Sequence, residues 1–336
     1  MSLKALSRLF KISSSTKACL REARHTPGFG LLDALHGYIY ARWPYLYIGI
    51  GTGEHRLVGR MRPVLNFLLN ILSGLPADRP RIEATGLHPG SPPGVKLARK
   101  VTFADTYHGK VLRLDAAKKL VAVKQDIRLT NLEKVIPYPL ARNLILKNPA
   151  RILAVECPCR SARAKPCVPL DVCLVVGEPF VSFILEHYAD RSRLIDKDEA
   201  IEILVAEAKR GHVHHAFFKE ALLGRFFAIC NCCSCCCGAM QIQRNGIPML
   251  ASSGYVSTVE EDVCNGCGTC EKFCHFNAIA VDNESARVDP AACMGCGVCQ
   301  SFCPQKAITL KRDPNRAAPL ELDELIMEAG GPSQES

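Results

Sequence analysis

Apolar residues along this chain fall into short blocks, and the spacing within each block predicts the element it forms. Near the start, Leu3, Leu6, Leu9 and Phe10 stand among Lys and Arg, with no acidic residue before Glu22. Met1 to His25 reads as an amphipathic surface helix, since it lacks the compact apolar run and small-residue cleavage site of an export signal. Leu31 to Ile50 is richer in aliphatic residues and carries Tyr38, Tyr40, Trp43, Tyr45 and Tyr47, with Pro44 placed to kink or end any helix. A second basic and apolar segment runs from Arg56 through Arg60, Arg62, Leu65, Leu68, Leu69 and Leu72. Together these segments predict either a helical cap on the protein's own core or a face that docks on lipid headgroups or a membrane-embedded partner. Ala77 to Gly94 then breaks the pattern with Pro89-Gly90-Ser91-Pro92-Pro93-Gly94, the composition of a linker.

Beyond the linker the period changes. Lys110-Val111-Leu112-Arg113-Leu114 and Leu120-Val121-Ala122-Val123 predict small strands. Ala150 to Glu156 and Arg225 to Ile229 predict buried strands, each running directly into cysteines. Between them, Ile201, Leu204, Val205 and Ala208 recur at helical spacing and predict an inward face for a helix over Asp198 to Lys209. Gly211-His212-Val213-His214-His215 is expected at the end of that helix, where the histidines bind metal, shuttle protons or simply satisfy the helix terminus; Glu186 and His187 are weaker functional candidates.

Composition narrows the class. With 336 residues, 48% hydrophobic and 22% charged, the chain has material for one large or two to three modest domains, which excludes a fibrous or wholly disordered protein. No window of eighteen uninterrupted apolar residues occurs, because Asp33, His36 and Arg42 interrupt the best candidate. Residues 1–110 hold 16 Lys and Arg against 6 Asp and Glu, and residues 111–255 hold 20 against 14. Residues 256–336 reverse the sign, with 6 against 13, so a basic head is joined to an acidic tail. The basic residues are not arranged on a groove-reading helix or an aromatic strand surface, and nucleic acid is not an expected partner. No Gly-rich dinucleotide fingerprint or phosphate loop is present, so no direct nucleotide cofactor is expected.

Cysteine changes the picture most. Of 19 cysteines, 18 lie beyond residue 156 in tight groups, the arrangement of metal ligands in a reducing compartment rather than of a secreted disulfide framework. Ten stand in the middle region: Cys157, Cys159, Cys167 and Cys173 after the first strand, and Cys230, Cys232, Cys233, Cys235, Cys236 and Cys237 after the second. Two strand ends that present thiolates can surround one centre from two sides. One further iron–sulfur cluster is the preferred occupant, with structural zinc or a redox-active thiol pair as the alternatives.

In the last quarter Cys264, Cys267, Cys270 and Cys274 obey C-x2-C-x2-C-x3-C, and Cys293, Cys296, Cys299 and Cys303 repeat it 29 residues later. Gly266 matches Gly295, Phe273 matches Phe302, and Ala278-Ile279 matches Ala307-Ile308. Over about Ser257 to Arg312 these residues resemble the bacterial-type ferredoxin with two 4Fe-4S clusters. The resemblance implies that Cys264, Cys267, Cys270 and Cys303 bind one cluster and Cys293, Cys296, Cys299 and Cys274 the other, three ligands from one run and the fourth from its twin. Pro304 follows Cys303 as that family expects, but His275 stands where proline would follow Cys274, a position from which it can alter hydrogen bonding near the second cluster. The Glu156-Cys157-Pro158-Cys159-Arg160 segment, Gly211-His212-Val213-His214, the Cys230 to Cys237 group and the terminal repeat together look like a class of cysteine-rich ferredoxin-domain proteins in anaerobic and metabolically versatile bacteria. That likeness implies redox work without naming a substrate. Cys236-Cys237-Gly238 also resembles the cysteine-rich modules of heterodisulfide reductases, whose longer cysteine spacing this chain lacks.

The expected fold is α+β: a basic, aromatic-rich helical region (1–76), a linker (77–100), a cysteine-rich mixed α/β body (101–255), a dicluster module (256–312) and an acidic tail with a short helix (313–336). The expected function is single-electron relay through two 4Fe-4S clusters and one further cluster, between redox partner proteins and in a membrane-associated complex; the alternative is a redox enzyme that reduces a disulfide or sulfur compound at the middle cysteines. The expected location is cytoplasmic, with the inner face of the membrane as a peripheral option.

Overall fold

The computed structural model describes residues 13–26, 29–51, 107–130, 132–138, 142–282 and 284–329. The basic segment after Arg56 and the Pro- and Gly-rich linker lie outside the described residues, as do residues 1–12 and 330–336. In chain order the elements are α1 (Ser14–Arg24), α2 (Leu31–Arg42), α3 (Pro44–Gly51), β1 (Tyr107–Leu112), α4 (Leu114–Val121), β2 (Ile127–Leu129), β3 (Leu144–Val155), α5 (Pro158–Ser161), β4 (Cys173–Glu178), α6 (Phe180–His187), β5 (Ser192–Ile195), α7 (Lys197–Lys209), β6 (Val213–Lys219), β7 (Arg225–Cys232), α8 (Gly238–Arg244) and β8 (Leu250–Ala251). The terminal part adds β9 (Tyr255–Val259), α9 (Thr269–Phe273), β10 (Ile279–Asp282), β11 (Ser285–Val288), α10 (Val298–Phe302), β12 (Ile308–Arg312) and α11 (Leu322–Glu328).

The body is one mixed sheet in the order β2-β3-β4-β7-β6-β1-β8, with β2 and β5 sharing the outer edge of the long strand β3. All pairs are antiparallel except β1 with β8. Side-chain alternation sends each strand's apolar residues to two different cores. Ile152, Ala154, Leu174, Val176, Ala216 and Phe218 face α4, α7 and α11, whereas Leu153, Val155, Val175, Val213 and Phe217 face the cysteine-bearing side. Each fully buried Leu, Ile or Phe contributes about 1.5–3 kcal/mol, so both faces are anchored strongly.

Two local expectations change. Leu120 to Val123 is not a strand but the end of α4 and the residues just after it, because Ala116, Ala117, Leu120 and Val121 share one buried helical face while Lys118 and Lys119 stay outside. In α7 the inward face comprises Ala200, Leu204 and Glu207, turned slightly from the predicted Ile201, Leu204, Val205 and Ala208 stripe, so a carboxylate is buried with the aliphatics. Asp196 caps this helix by accepting a 2.8 Å hydrogen bond from the Glu199 amide.

The aromatic segment forms a cap on the body. Pro44 ends one helix and begins the next, as its missing amide dictates. Tyr40 is buried in the cysteine-side core, and the Tyr45 hydroxyl donates to the Glu156 carbonyl at 3.0 Å, next to Cys157. Among the described residues no helix is long and apolar enough to cross a membrane.

Candidate metal and redox centres

The strand topology brings the middle cysteines to one end of the sheet. β3 finishes there at Val155 and hands on to Cys157, β4 begins there at Cys173, and β7 finishes there through Cys230 and Cys232. The two strand ends expected to be neighbours are therefore separated by β4, which supplies Cys173 from its own first residue. Cys237 closes the following turn, its amide donating to the Cys233 carbonyl at 3.0 Å, and caps α8.

The ten middle sulfurs divide into two groups. Cys167, Cys233, Cys235 and Cys236 place their sulfurs within 4.8 Å of one another. The other six are sulfur neighbours in an unbroken string, Cys232–Cys237–Cys159–Cys157–Cys173–Cys230. All six line an apolar cavity of about 100 Å³ walled by Tyr40, Tyr107, Phe180, Phe217 and Phe227, and Cys233 and Cys236 line it too. Burial pushes the Cys167 thiol up to about 11, so in isolation it is a thiol and needs a cation beside it to become a thiolate.

Arg160, the residue after Cys157-Pro158-Cys159, braces this end. Its guanidinium, 1% exposed, donates to the Pro169 carbonyl at 2.5 Å, to Glu207 at 2.6 Å and to the Asn231 carbonyl at 2.9 Å. Those three bonds tie the 157–173 loop to α7 and β7. Glu207 also takes a 2.7 Å contact from the His212 ring, and hydrogen bonds from His212 and Arg160 hold its carboxyl below the usual range against the opposing pull of burial.

The two histidines after Val213 are buried within the sheet. His214 and His215 belong to β6 and not to a helix end; His214 pairs with the Asn231 side chain at 2.5 Å, whose amide donates to the Val172 carbonyl at 2.7 Å. Glu186 accepts from Ser15 at 2.6 Å, and the His187 ring lies 2.8 Å from the Phe183 carbonyl.

The terminal module reproduces its sequence repeat in space. β9 pairs with β12, β10 with β11, and the α9 and α10 rings Phe273 and Phe302 stack at 4.0 Å. Gly266 and Gly295 both have positive φ, and a Cβ on Gly295 would stand 2.1 Å from the Tyr255 carbonyl oxygen, so the close turn requires glycine. Cys264, Cys267, Cys270 and Cys303 line one small cavity with Ile308. Cys274, Cys293, Cys296 and Cys299 are mutual neighbours at the other pole, where the Ser257 hydroxyl lies 3.2 Å from the Cys299 sulfur and the Ala278 amide donates to the Cys274 sulfur at 3.2 Å. The paired Ala278-Ile279 and Ala307-Ile308 are buried, as expected of residues that screen such sites from water.

The second pole faces the body. Val298, Met294, Cys296, Phe273 and Phe302 join the same apolar core as Cys232 and Cys237. Gly211 accommodates the ring pair, since a Cβ there would lie 3.0 Å from Phe273. His275 makes the polar link: Nε2 donates to the Gly211 carbonyl at 2.7 Å, and Nδ1 lies 3.1 Å from the hydroxyl of Ser234, between Cys233 and Cys235. A carbonyl can only accept, which fixes the proton on Nε2. Ser234, Arg160 and Glu207 were not candidates from sequence; the placement of Ser234 between Cys233 and Cys235 and of Arg160 after Cys157-Pro158-Cys159 could have flagged two of them.

Residues 257–315 match the family model described as a 4Fe-4S dicluster domain. No curated protein matches the chain. The chain thus joins a ferredoxin-type dicluster domain to a cysteine-rich α/β body with a candidate four-thiol metal site, equipment for iron–sulfur electron transfer in general.

Proposed function

We propose that the protein relays single electrons through two C-terminal 4Fe-4S clusters and one further iron–sulfur centre in the body. Cys264, Cys267, Cys270 and Cys303 hold the outer cluster, Cys274, Cys293, Cys296 and Cys299 the inner one, and the string of six thiols the third centre. Bound by four thiolates, a 4Fe-4S cluster supplies reversible one-electron transfer and offers no open iron for substrate. The residues around each set do the rest: Ser257 and the Ala278 amide orient sulfurs, the Ala-Ile pairs exclude water, and Arg160 fixes the cage loop.

The observation that carries this reading is the junction at His275. It follows an inner-cluster ligand directly and grips the Cys233-Ser234-Cys235 turn, while Cys296 and Cys232 share one packed core. His275→Ala is expected to keep its iron and sulfide but to slow reduction of the body centre several-fold when electrons enter through the dicluster, read by freeze-quench EPR. An unchanged rate would remove the junction from the path. The spare thiols of the six favour one second reading, reduction of a disulfide or sulfur compound at the cage; small thiols that shift only the body signal would support it.

A further inference from the structure

The other four middle sulfurs have a geometry of their own. Cys167 and Cys235 are 3.3 Å apart, Cys167 and Cys233 3.6 Å, and Cys235 and Cys236 3.8 Å. Four thiolates around one ion at a metal–sulfur distance of about 2.3 Å form a tetrahedron whose edge is about 3.8 Å. A cubane cannot be held by sulfurs this close, because each thiolate terminates a different iron and the four stand well apart around the cage. The same chain provides the comparison. Neither four-cysteine set of the dicluster module draws its sulfurs within 4.8 Å of one another, whereas the Cys167 group does.

We propose that Cys167, Cys233, Cys235 and Cys236 bind a single tetrahedral divalent ion, zinc or iron, and not an iron–sulfur cluster. This inference goes beyond the relay and does not depend on it, since the relay uses the other six thiols. The donor set is all soft sulfur, which suits zinc or iron and disfavours magnesium, calcium or manganese. The backbone is arranged to hold it. Arg163 donates to the Cys236 carbonyl at 3.0 Å, and the Gln241 side-chain amide donates to the Cys235 carbonyl at 3.0 Å, so the turn is fixed from outside while its sulfurs converge.

The site has a definite structural consequence. Cys167 comes from the exposed end of the loop that carries Cys157 and Cys159, and the other three ligands come from the turn after β7, so one ion staples the two cysteine segments across 66 or more positions. Ser234 lies between two of the ligands, and the ion therefore also fixes the hydroxyl that meets His275. The ion positions the junction with the dicluster without entering the electron path.

The test uses the full chain purified without oxygen, with zinc, iron and acid-labile sulfide measured in the wild type and in Cys167→Ser/Cys235→Ser. The variant is expected to lose about one ion per chain and no sulfide. If the ion is zinc, absorption at the zinc edge of the wild type should show four sulfurs at about 2.3 Å and no neighbouring metal, a result that needs no variant to fold. Loss of about four irons with their sulfide would overturn the proposal, and so would a variant with unchanged metal. Intact terminal EPR signals confirm that the variant is folded. A body centre that vanishes only in Cys157→Ser or Cys173→Ser bears on the relay instead, so the two readings fail separately.

Discussion

Glu207 is the carboxylate on which the cysteine end of the body depends, and it is 0% exposed. Its partner Arg160 is also buried and makes no other ion pair with a carboxylate among the described residues, so removing the acid leaves an uncompensated charge in the interior. Such a loss is worth about 3–5 kcal/mol, more than the pair itself contributes. Glu207→Gln is therefore expected to lower the unfolding free energy of the anaerobic holoprotein by that amount in denaturant titration. Arg160→Lys should not rescue the site, because one ammonium cannot meet the Pro169 and Asn231 carbonyls and Glu207 in the same directions. A change below about 1 kcal/mol in Glu207→Gln would mean that water or a shifted side chain restores the balance.

At the scale of elements, β6 carries two histidines into the interior, and both stay neutral. Burial lowers His214 to about 4 and His215 to about 3, the latter with help from the neighbouring His214. Below about pH 6.5 the unfolded chain takes up protons that the folded strand refuses, so stability falls as pH drops from there toward those values. Each histidine accounts for about 2 kcal/mol of loss by pH 5. His215→Phe, which keeps a ring beside Phe217, should shrink the difference in stability between pH 7 and pH 5 by about that amount; an unaltered difference would show that His215 is protonated in the fold. The same strand shows what the sequence reveals and what it hides. The strands leading into Cys157 and Cys230 were legible because unbroken apolar runs of that length have few other uses, and the dicluster module because its ligands repeat within a few residues. The four-residue apolar run at Leu120 was too short to distinguish strand from helix end. The division of ten cysteines into four and six was illegible, because it is set by which strand end each thiol leaves and by the insertion of β4 between β3 and β7. His275 stood out as a departure from proline, but its contact with Ser234 is tertiary and has no local signature.

For the whole molecule, the terminal module is clamped to the body on both sides. After β12 the chain returns to the body: Lys110 donates to the Ala318 carbonyl at 2.7 Å, Arg113 meets Glu321 at 2.9 Å, and α11 packs its apolar side against the α4 face. The acidic tail is partly committed to the fold, with Asp323 on Lys119 and Glu324 on Arg312. The inner pole of the module is covered by the body, so the exposed approach is the outer one, where Cys267 is exposed and Glu260, Glu261, Asp262 and Glu271 stand around the same segment. A negative rim attracts a cationic donor over a Debye length and repels an anionic one. Reduction of the holoprotein by a viologen radical cation is therefore expected to slow by about tenfold from low to high salt, with the opposite trend for an anionic reductant. Replacing Glu261, Asp262 and Glu271 by lysine should flatten or invert both trends in stopped-flow measurements while leaving iron content unchanged. If the two donors respond alike to salt, electrons enter away from this rim, and the outer cysteine set is not the port of the relay.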